Sequence, residues 1–385
     1  MGNINSQENN EMIRVMASVP MMTSIKRPNE KNGTSLIKDT AQTMHYDFFG
    51  TWSICVPTDK SPISRCGQCH VYDPIKDCLV VAYGIDKNGN YLNDMWELNL
   101  KTFTWNKILD KILDPRMNCS SVLIGREMII FGGKNQDGYF ADLHAVNLDT
   151  GVITKFNSED IKPREKALLF EDLQNNKLVI WSGFNNFILN DILLFDFNNG
   201  TWKKQFDVEI SGRRAAEVAF NPVSGVHYIF GSTRDYSLAK FDCKTMKFDV
   251  LKCGGTSPPP ELNNSMLAIV NDYLFVIGGE IDSEYTYLYA VNLKNLQWFP
   301  FYVKPDFETT SLRDGFVAKN GLFKLPRQHS GALAYSKEKR ALVSVMGNLF
   351  TDPLSISIIS IGDALSALQQ REDMIDMFNF TKDCI

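Results

Sequence analysis

Little in this sequence commits the chain to a membrane, a metal or a nucleic acid. No uninterrupted apolar run approaches the roughly 18 residues that a membrane span needs. The Met-rich stretch MIRVMASVPMM (12–22) is broken by Arg14 and Pro20, which makes it a poor signal-peptide core. The formal net charge is −5, so there is no basic footprint for nucleic acid. Histidine is scarce, and His45, His70, His144, His227 and His329 show no ligand spacing. Cys66-x-x-Cys69 is the single CxxC. It falls on an expected strand, where residues three apart point to opposite faces, so one zinc ion cannot easily take both. There is no Walker A sequence and no GxSxG. GGKNQDG (132–138) sits between two expected strands, whereas a phosphate loop must open a helix. These absences leave no cofactor, no metal and no catalytic set. They point to the cytosol, with the nucleus also open, where the eight cysteines stay reduced. The sequon at Asn199 then carries no weight.

What the sequence has instead is repetition. Hydrophobic residues make up 44% of the 385, enough for a sizeable core. Glycines end similar β-rich runs at Gly84, Gly133, Gly183, Gly231, Gly279 and Gly347, in steps of 49, 50, 48, 48 and 68. Arginines open the units at Arg65, Arg116, Arg164, Arg213 and Arg327, while the fifth unit opens with PPPELNN and has none. A late aromatic follows in Trp105, Phe156, Trp202, Phe248 and Trp298. Three landmarks in one order at one period mean internal duplication. Each unit holds about four short runs rich in Val, Ile, Phe, Leu and Tyr, bounded by Asn-Gly or Asp-Gly type turns, which are hairpin signals. Long helical periodicity is absent between residues 50 and 360, so the fold is expected to be all-β. One such sheet cannot cover both of its faces, and stacking the sheets around an axis covers them.

The period near fifty, the Gly-Gly of residues 132–133 and 278–279, the Pro-Arg openings and the late tryptophans resemble the Kelch repeat over about residues 50–361. Only two units keep both glycines, and two put phenylalanine at the tryptophan position. The resemblance implies a β-propeller, here of six blades. The last unit lacks an aromatic fourth strand, and GTWSICV (50–56) carries Trp52 thirteen residues before Arg65. Trp105 and Trp202 each precede the next arginine by eleven. The N-terminal strand is therefore expected to complete the sixth blade, which removes open sheet edges. The longer step before the last unit places an insertion at about 302–325, either functional or a tolerated surface loop.

The expected layout is a flexible tail (1–44), the propeller (45–361) and a C-terminal helical tail (362–385) with Leu365, Leu368, Ile375 and Phe378 on about one face. MGNINS fits the N-myristoylation pattern, with Gly2 as the lipidation site. One acyl chain gives only marginal binding, about 10⁴ M⁻¹. Lys26, Arg27, Lys31 and Lys38 are scattered among acids, so they make a weak second signal and only weak peripheral membrane contact is expected.

Repeat symmetry would set Arg65, Arg116, Arg164, Arg213 and Arg327, joined by Arg214, in a circle near one mouth of the channel. There they could take carboxylate or phosphate. In similar Kelch propellers, arginines near these strand starts hold acidic peptide motifs. An arginine at a strand start can equally bond the backbone carbonyls of a neighbouring blade. The expected function is a monomeric, non-enzymatic scaffold that binds a protein partner at this mouth. The alternative is an enzyme or small-molecule binder using the channel mouth.

Overall fold

The structure is a computed structural model that describes residues 50–362, except 59, 206–207, 209, 234, 261, 281 and 349–353. Gly2, the expected tail 1–44 and all but the first residue of the expected C-terminal helix lie outside the described residues.

Alternating burial builds strands of four to six residues, joined by tight turns. In Cys69–Asp73 every second side chain is buried, the pattern of a half-covered strand. Cys78–Ala82 is buried throughout, as a strand covered on both faces must be. Sheet 1 comprises Cys69–Asp73, Cys78–Ala82, Met95–Asn99 and Thr104–Leu109 in sequential antiparallel order. Sheets 2, 3 and 4 repeat this order from Ser120–Ile124, Leu168–Asp172 and Glu217–Asn221. Sheet 5 starts at Met266–Val270 and gains a parallel outer strand, Gly254–Gly255. Sheet 6 has Ala332–Ser336, Ala341–Val345 and Ile356–Ser360, then Gly50–Cys55 from the other end of the chain. Thr51 lies opposite Ser360 and Cys55 opposite Ile356.

The core lies between sheets. One cluster joins sheets 1 and 2 through Val80, Met95, Met128 and Ile130. Others join sheets 2 and 3, 3 and 4, 4 and 5, and 5 and 6. A further cluster packs Leu79 and Leu98 of sheet 1 against Val343 and Ile356 of sheet 6. Late aromatics cross these seams. Phe248 of sheet 4 lies 4.5 Å from Trp181 of sheet 3, and Trp298 of sheet 5 lies 5.2 Å from Phe230 of sheet 4.

The paired-glycine position has a simple explanation. Its first residue is left-handed in five units: Tyr83 (φ 62°), Gly132 (66°), Ser182 (63°), Gly278 (68°) and Met346 (66°). An L-residue can hold that conformation at modest cost. The second residue reaches φ 110° at Gly84, 99° at Gly133 and Gly183, and 104° at Gly279. A Cβ there would also come within 2.9 Å of the Cys66 carbonyl in the first unit and the Met117 carbonyl in the second. The φ of 75–110° is the restraint the second position shares in all six units, and all six keep glycine there; at the first position Gly132 and Gly278 are held by space, since a Cβ would run into the Arg164 and Gln328 carbonyls. Gly133→Ala is therefore expected to cost about 1–3 kcal/mol, read as a lower midpoint in urea. Alanine at Gly125, where a Cβ would meet nothing within 4 Å, should cost no more than about 1–2 kcal/mol.

The start of the insertion at 302–325 is built into sheet 6, and its end into a small sheet with Tyr285–Thr286. Val303–Pro305 pairs in parallel with the strand Gly50–Cys55, and Phe316–Val317 pairs with Phe323–Pro326. Thr310 Oγ donates to the Trp52 carbonyl at 2.7 Å, and the Ile54 N–H donates to Thr309 Oγ at 2.9 Å. The segment thus covers the outer edge of the N-terminal strand.

Candidate functional site

A cavity of about 610 Å³ runs along the first strands of all six sheets. At one end, the arginine end, lie Gly67, Asn118, Lys166, Ala215, Asn264 and Ser330. All six are left-handed, with φ between 49° and 62°, and they occupy one repeat position. Their main chains link sideways: Asn118 N–H donates to the Gly67 carbonyl (2.6 Å), Lys166 to Asn118 (2.9 Å), Asn264 to Ala215 (2.9 Å) and Ser330 to Asn264 (2.9 Å). Gln68 Nε2 donates to the Ser330 carbonyl at 2.9 Å. Lys166 reaches Asn264 with its side chain. At the other end, the hairpin end, the cavity meets Pro74, Ile75, Gly125, Leu173, Pro222 and Lys337.

The predicted arginines sit just behind the arginine end, but they turn inward. Arg65, Arg116, Arg164, Arg213 and Arg327 are all buried. Arg164 is typical. Its Nε donates to the Lys162 carbonyl (3.2 Å), its Nη1 to the Ser182 carbonyl (3.0 Å), and its fork grips Asp191 at 2.6 and 2.9 Å. Arg65 does the same with the Ile63 and Tyr83 carbonyls and Asp94. Arg116 uses the Asp114 and Gly132 carbonyls and Asp142. Arg213 bonds Ser237, with Asp235 at 3.3 Å. Arg65, Arg116 and Arg164 therefore brace the entry turn and the glycine corner of their own units, not of a neighbour. The expectation that these five present guanidinium at a mouth does not agree with their burial, and in Arg65, Arg116 and Arg164 the guanidinium is spent on the fold. Burial alone would raise the Asp94 carboxyl, yet the paired Arg65 holds it below the usual carboxylate range.

The acidic partners Asp94, Asp142, Asp191 and Asp235 went unread in the sequence. Each lies 22 to 29 residues after its arginine, just before a third strand. The recurring Asn-Asp of LNDMW (92–96) and LNDIL (189–193) was the available signal.

Arg214 differs. It is partly exposed, stacks on Phe184 at 3.8 Å and lies 3.7 Å from the buried Glu165 carboxylate. Tyr139 meets Phe184 edge-on at 6.4 Å. Asn118 Nδ2 donates to Glu165 at 2.7 Å, and Lys134 lies 3.4 Å from it. Phe187 is exposed beneath Lys162 at 3.9 Å, and Tyr236 is exposed as well. His329 is buried beside Glu280 at 3.5 Å, and burial lowers its pKa to about 4, so it is neutral at pH 7.

Inside the channel, burial raises the Glu217 carboxyl to about 7, against a hydrogen bond from Val218 N–H and the charge of Lys166. A carboxyl with a raised folded pKa stabilises the fold fully below its unfolded pKa and loses that contribution as pH rises through the folded value. Glu217→Gln should therefore raise stability by about 1–3 kcal/mol near pH 8 and change it little near pH 5, read by thermal midpoints at both.

One cluster has the outline of a nucleophile with a base. Cys243 Sγ lies 3.9 Å from His227 Nδ1, and His227 Nε2 lies 3.0 Å from Glu171. Burial and the surrounding carboxylates push the Cys243 thiol up to about 12, so it stays protonated and supplies no thiolate. Cys66 is buried too, and burial pushes its thiol to about 12. Among the described residues no group of three or more His, Cys, Asp or Glu side chains could hold a metal ion. No helix there is long and apolar enough to cross a membrane.

A family model for the KLHDC2/KLHL20/DRC7 Kelch-repeats domain matches residues 37–231, half of the chain. The chain belongs to the Kelch-repeat family. Its short strands in small sheets agree with the β-propeller of Kelch repeats. Tip elongation aberrant protein 1 of Schizosaccharomyces pombe is 27% identical over 239 residues, 56% of this chain and 21% of that protein. Kelch domain-containing protein 1 of Mus musculus is 24% identical over 261 residues, 64% of this chain and 56% of that protein. Host cell factor 1 of Homo sapiens is 28% identical over 155 residues, 33% of this chain and 7% of that protein. This Kelch chain thus spans from under a tenth to just over half of the curated relatives it matches.

Proposed function

We propose that this chain is a six-bladed Kelch propeller, closed by the strand Gly50–Cys55, which works as a non-enzymatic scaffold. It takes a protein partner at the arginine end. Six inter-sheet cores, including the one between sheets 6 and 1, support the blade count and the closure. Arg214 on Phe184, with Tyr139 beside it, carries the binding reading. A planar cation held on an aromatic face, ringed by further exposed aromatics, is the composition of an interface anchor. Arg214 and Lys162 give that anchor cations for an acidic segment of the partner. The five buried arginines support this surface from below and do not touch the partner. The scaffold acts as a monomer in the cytoplasm, and an acyl group on Gly2 brings it to membranes.

The test is affinity capture with the full chain, wild type against Arg214→Glu with Phe184→Ala, followed by quantitative mass spectrometry. Loss of an anchor of this kind costs about 2 kcal/mol or more, roughly thirtyfold in affinity. Specific partners should drop out while the thermal midpoint stays within a few degrees. An unchanged capture profile would place the partner elsewhere. For Gly2, labelling with an alkynyl myristate should mark the wild type and not Gly2→Ala.

A further inference from the structure

We propose that the hairpin end of the channel is a docking surface for an anionic lipid bilayer. The turns joining first and second strands all project at this end, and three of them carry an exposed aliphatic at the tip. Ile75 is 77% exposed, Leu173 56% and Val223 93%. Val152, on the outer turn of sheet 2, is 59% exposed. Single exposed apolar residues are ordinary, but these fall on the same turn of the repeat: Ile75 and Val223 stand two residues after the Asp or Asn that opens it, and Leu173 one residue after Asp172. The turns are stiff. Asp73 Oδ1 accepts the Ile75 N–H at 2.9 Å, and Asn221 Oδ1 accepts the Val223 N–H at 3.0 Å. The tips are therefore held outward with their side chains in water, where they add nothing to the core.

Charge agrees with this occupant. The chain is acidic overall; the turns at this end bear Lys76, Lys101, Lys244, Lys337 and Lys339, along with Asp242 and the ion pair of Lys294 with Asp272 at 2.7 Å. Asp149 and Glu338 answer two of them, Lys76 at 2.8 Å and Lys101 at 2.7 Å. Aliphatic tips among lysines suit the boundary between acidic headgroups and acyl chains. A protein partner would favour one contiguous apolar patch, whereas these tips stand apart around a mouth.

The exits of the chain agree as well. Ile361 N–H donates to the Arg340 carbonyl (3.1 Å) and Arg340 Nη2 to the Gly362 carbonyl (2.9 Å), which fixes that end beside the turn 336–341. Thr51 lies opposite Ser360, so the described chain begins at the same end. A bilayer here would face the end where the described chain begins and leave the arginine end open to its partner. The surface supplies the second signal that a single acyl chain needs. It goes beyond the partner reading and does not depend on Arg214.

The experiment is vesicle flotation of the full chain, with and without the acyl group. It uses phosphatidylcholine vesicles with and without phosphatidylserine, and compares wild type with Ile75→Asp/Leu173→Asp/Val223→Asp. The unacylated wild type should float with phosphatidylserine vesicles. The triple variant should bind about tenfold less or weaker, in both acylation states, because apolar insertion is lost and negative charge is added. Its thermal midpoint and its partner capture should be unchanged, which separates this surface from the arginine end. The proposal is overturned if the variant floats like wild type, or if unacylated wild type ignores phosphatidylserine vesicles. It is also overturned if sedimentation velocity shows that the substitutions abolish a dimer, since the surface would then join two copies of the chain.

Discussion

Arg164→Met is expected to destabilise the fold by about 3–5 kcal/mol, the cost of removing one partner from a buried ion pair. The guanidinium is inaccessible and ties together the Lys162 carbonyl, the Ser182 carbonyl and both oxygens of Asp191. Methionine fills much of the volume but donates nothing. Asp191, only 14% exposed, would keep its charge without a partner. The double change Arg164→Met with Asp191→Leu should recover part of the loss, since two apolar groups replace two polar ones together. Arg214→Met should stay within about 1 kcal/mol, because that pair is partly solvated and 3.7 Å apart. Denaturant midpoints at constant slope measure all three. A near-neutral Arg164→Met would mean that the arginines are free for ligands after all.

Trp52→Ala should cost about 3–5 kcal/mol through its cavity, and deleting residues 1–56 should do far more. Trp52 is buried between sheets 5 and 6, tilted against Phe323 at 5.8 Å, with its Nε1 donating to Ser357 Oγ at 2.9 Å. Its carbonyl accepts from Asp306 N–H at 2.9 Å and Thr310 Oγ at 2.7 Å. The strand is thus interior to its sheet, with Ile356–Ser360 on one side and Val303–Pro305 on the other. Its loss bares two strand edges at once, the usual route to aggregation. The truncated chain should be largely insoluble, and a peptide spanning residues 48–58 added during refolding should restore part of the soluble yield. A truncated chain that keeps the wild-type midpoint would refute the closing role.

Much of this fold could be read from the chain because repetition averages out local ambiguity. A single run such as LLFED (168–172) could be a strand or a buried turn of helix, but six copies in phase with a glycine and a late aromatic could not. Trp52 was legible by subtraction, since one unit lacked an aromatic strand and the front of the chain had one to spare. The insertion was legible as extra length but not as a pairing. Val303–Pro305 is three residues long, and a parallel pairing with a strand some 250 residues away leaves no periodic signal. The arginines were legible as a position and not as buried groups, because the Asp that neutralises Arg65, Arg116, Arg164 and Arg213 lies 22 to 29 residues onward in each case, beyond any local pattern.

By itself the sequence determined the repeat period, the all-β class and the residues that mark each corner. These follow from local chemistry: a left-handed corner needs glycine, and a half-buried strand needs alternation. Only the tertiary structure decided which way the marked side chains point. It turned Arg65, Arg116, Arg164 and Arg213 inward onto carboxylates, buried Arg327 as well, and left Arg214 partly exposed on Phe184. It also gathered Ile75, Leu173 and Pro222–Val223 at the hairpin end. Direction depends on contacts between distant segments, because burying a charge is tolerable only where its counter-charge arrives from elsewhere in the chain.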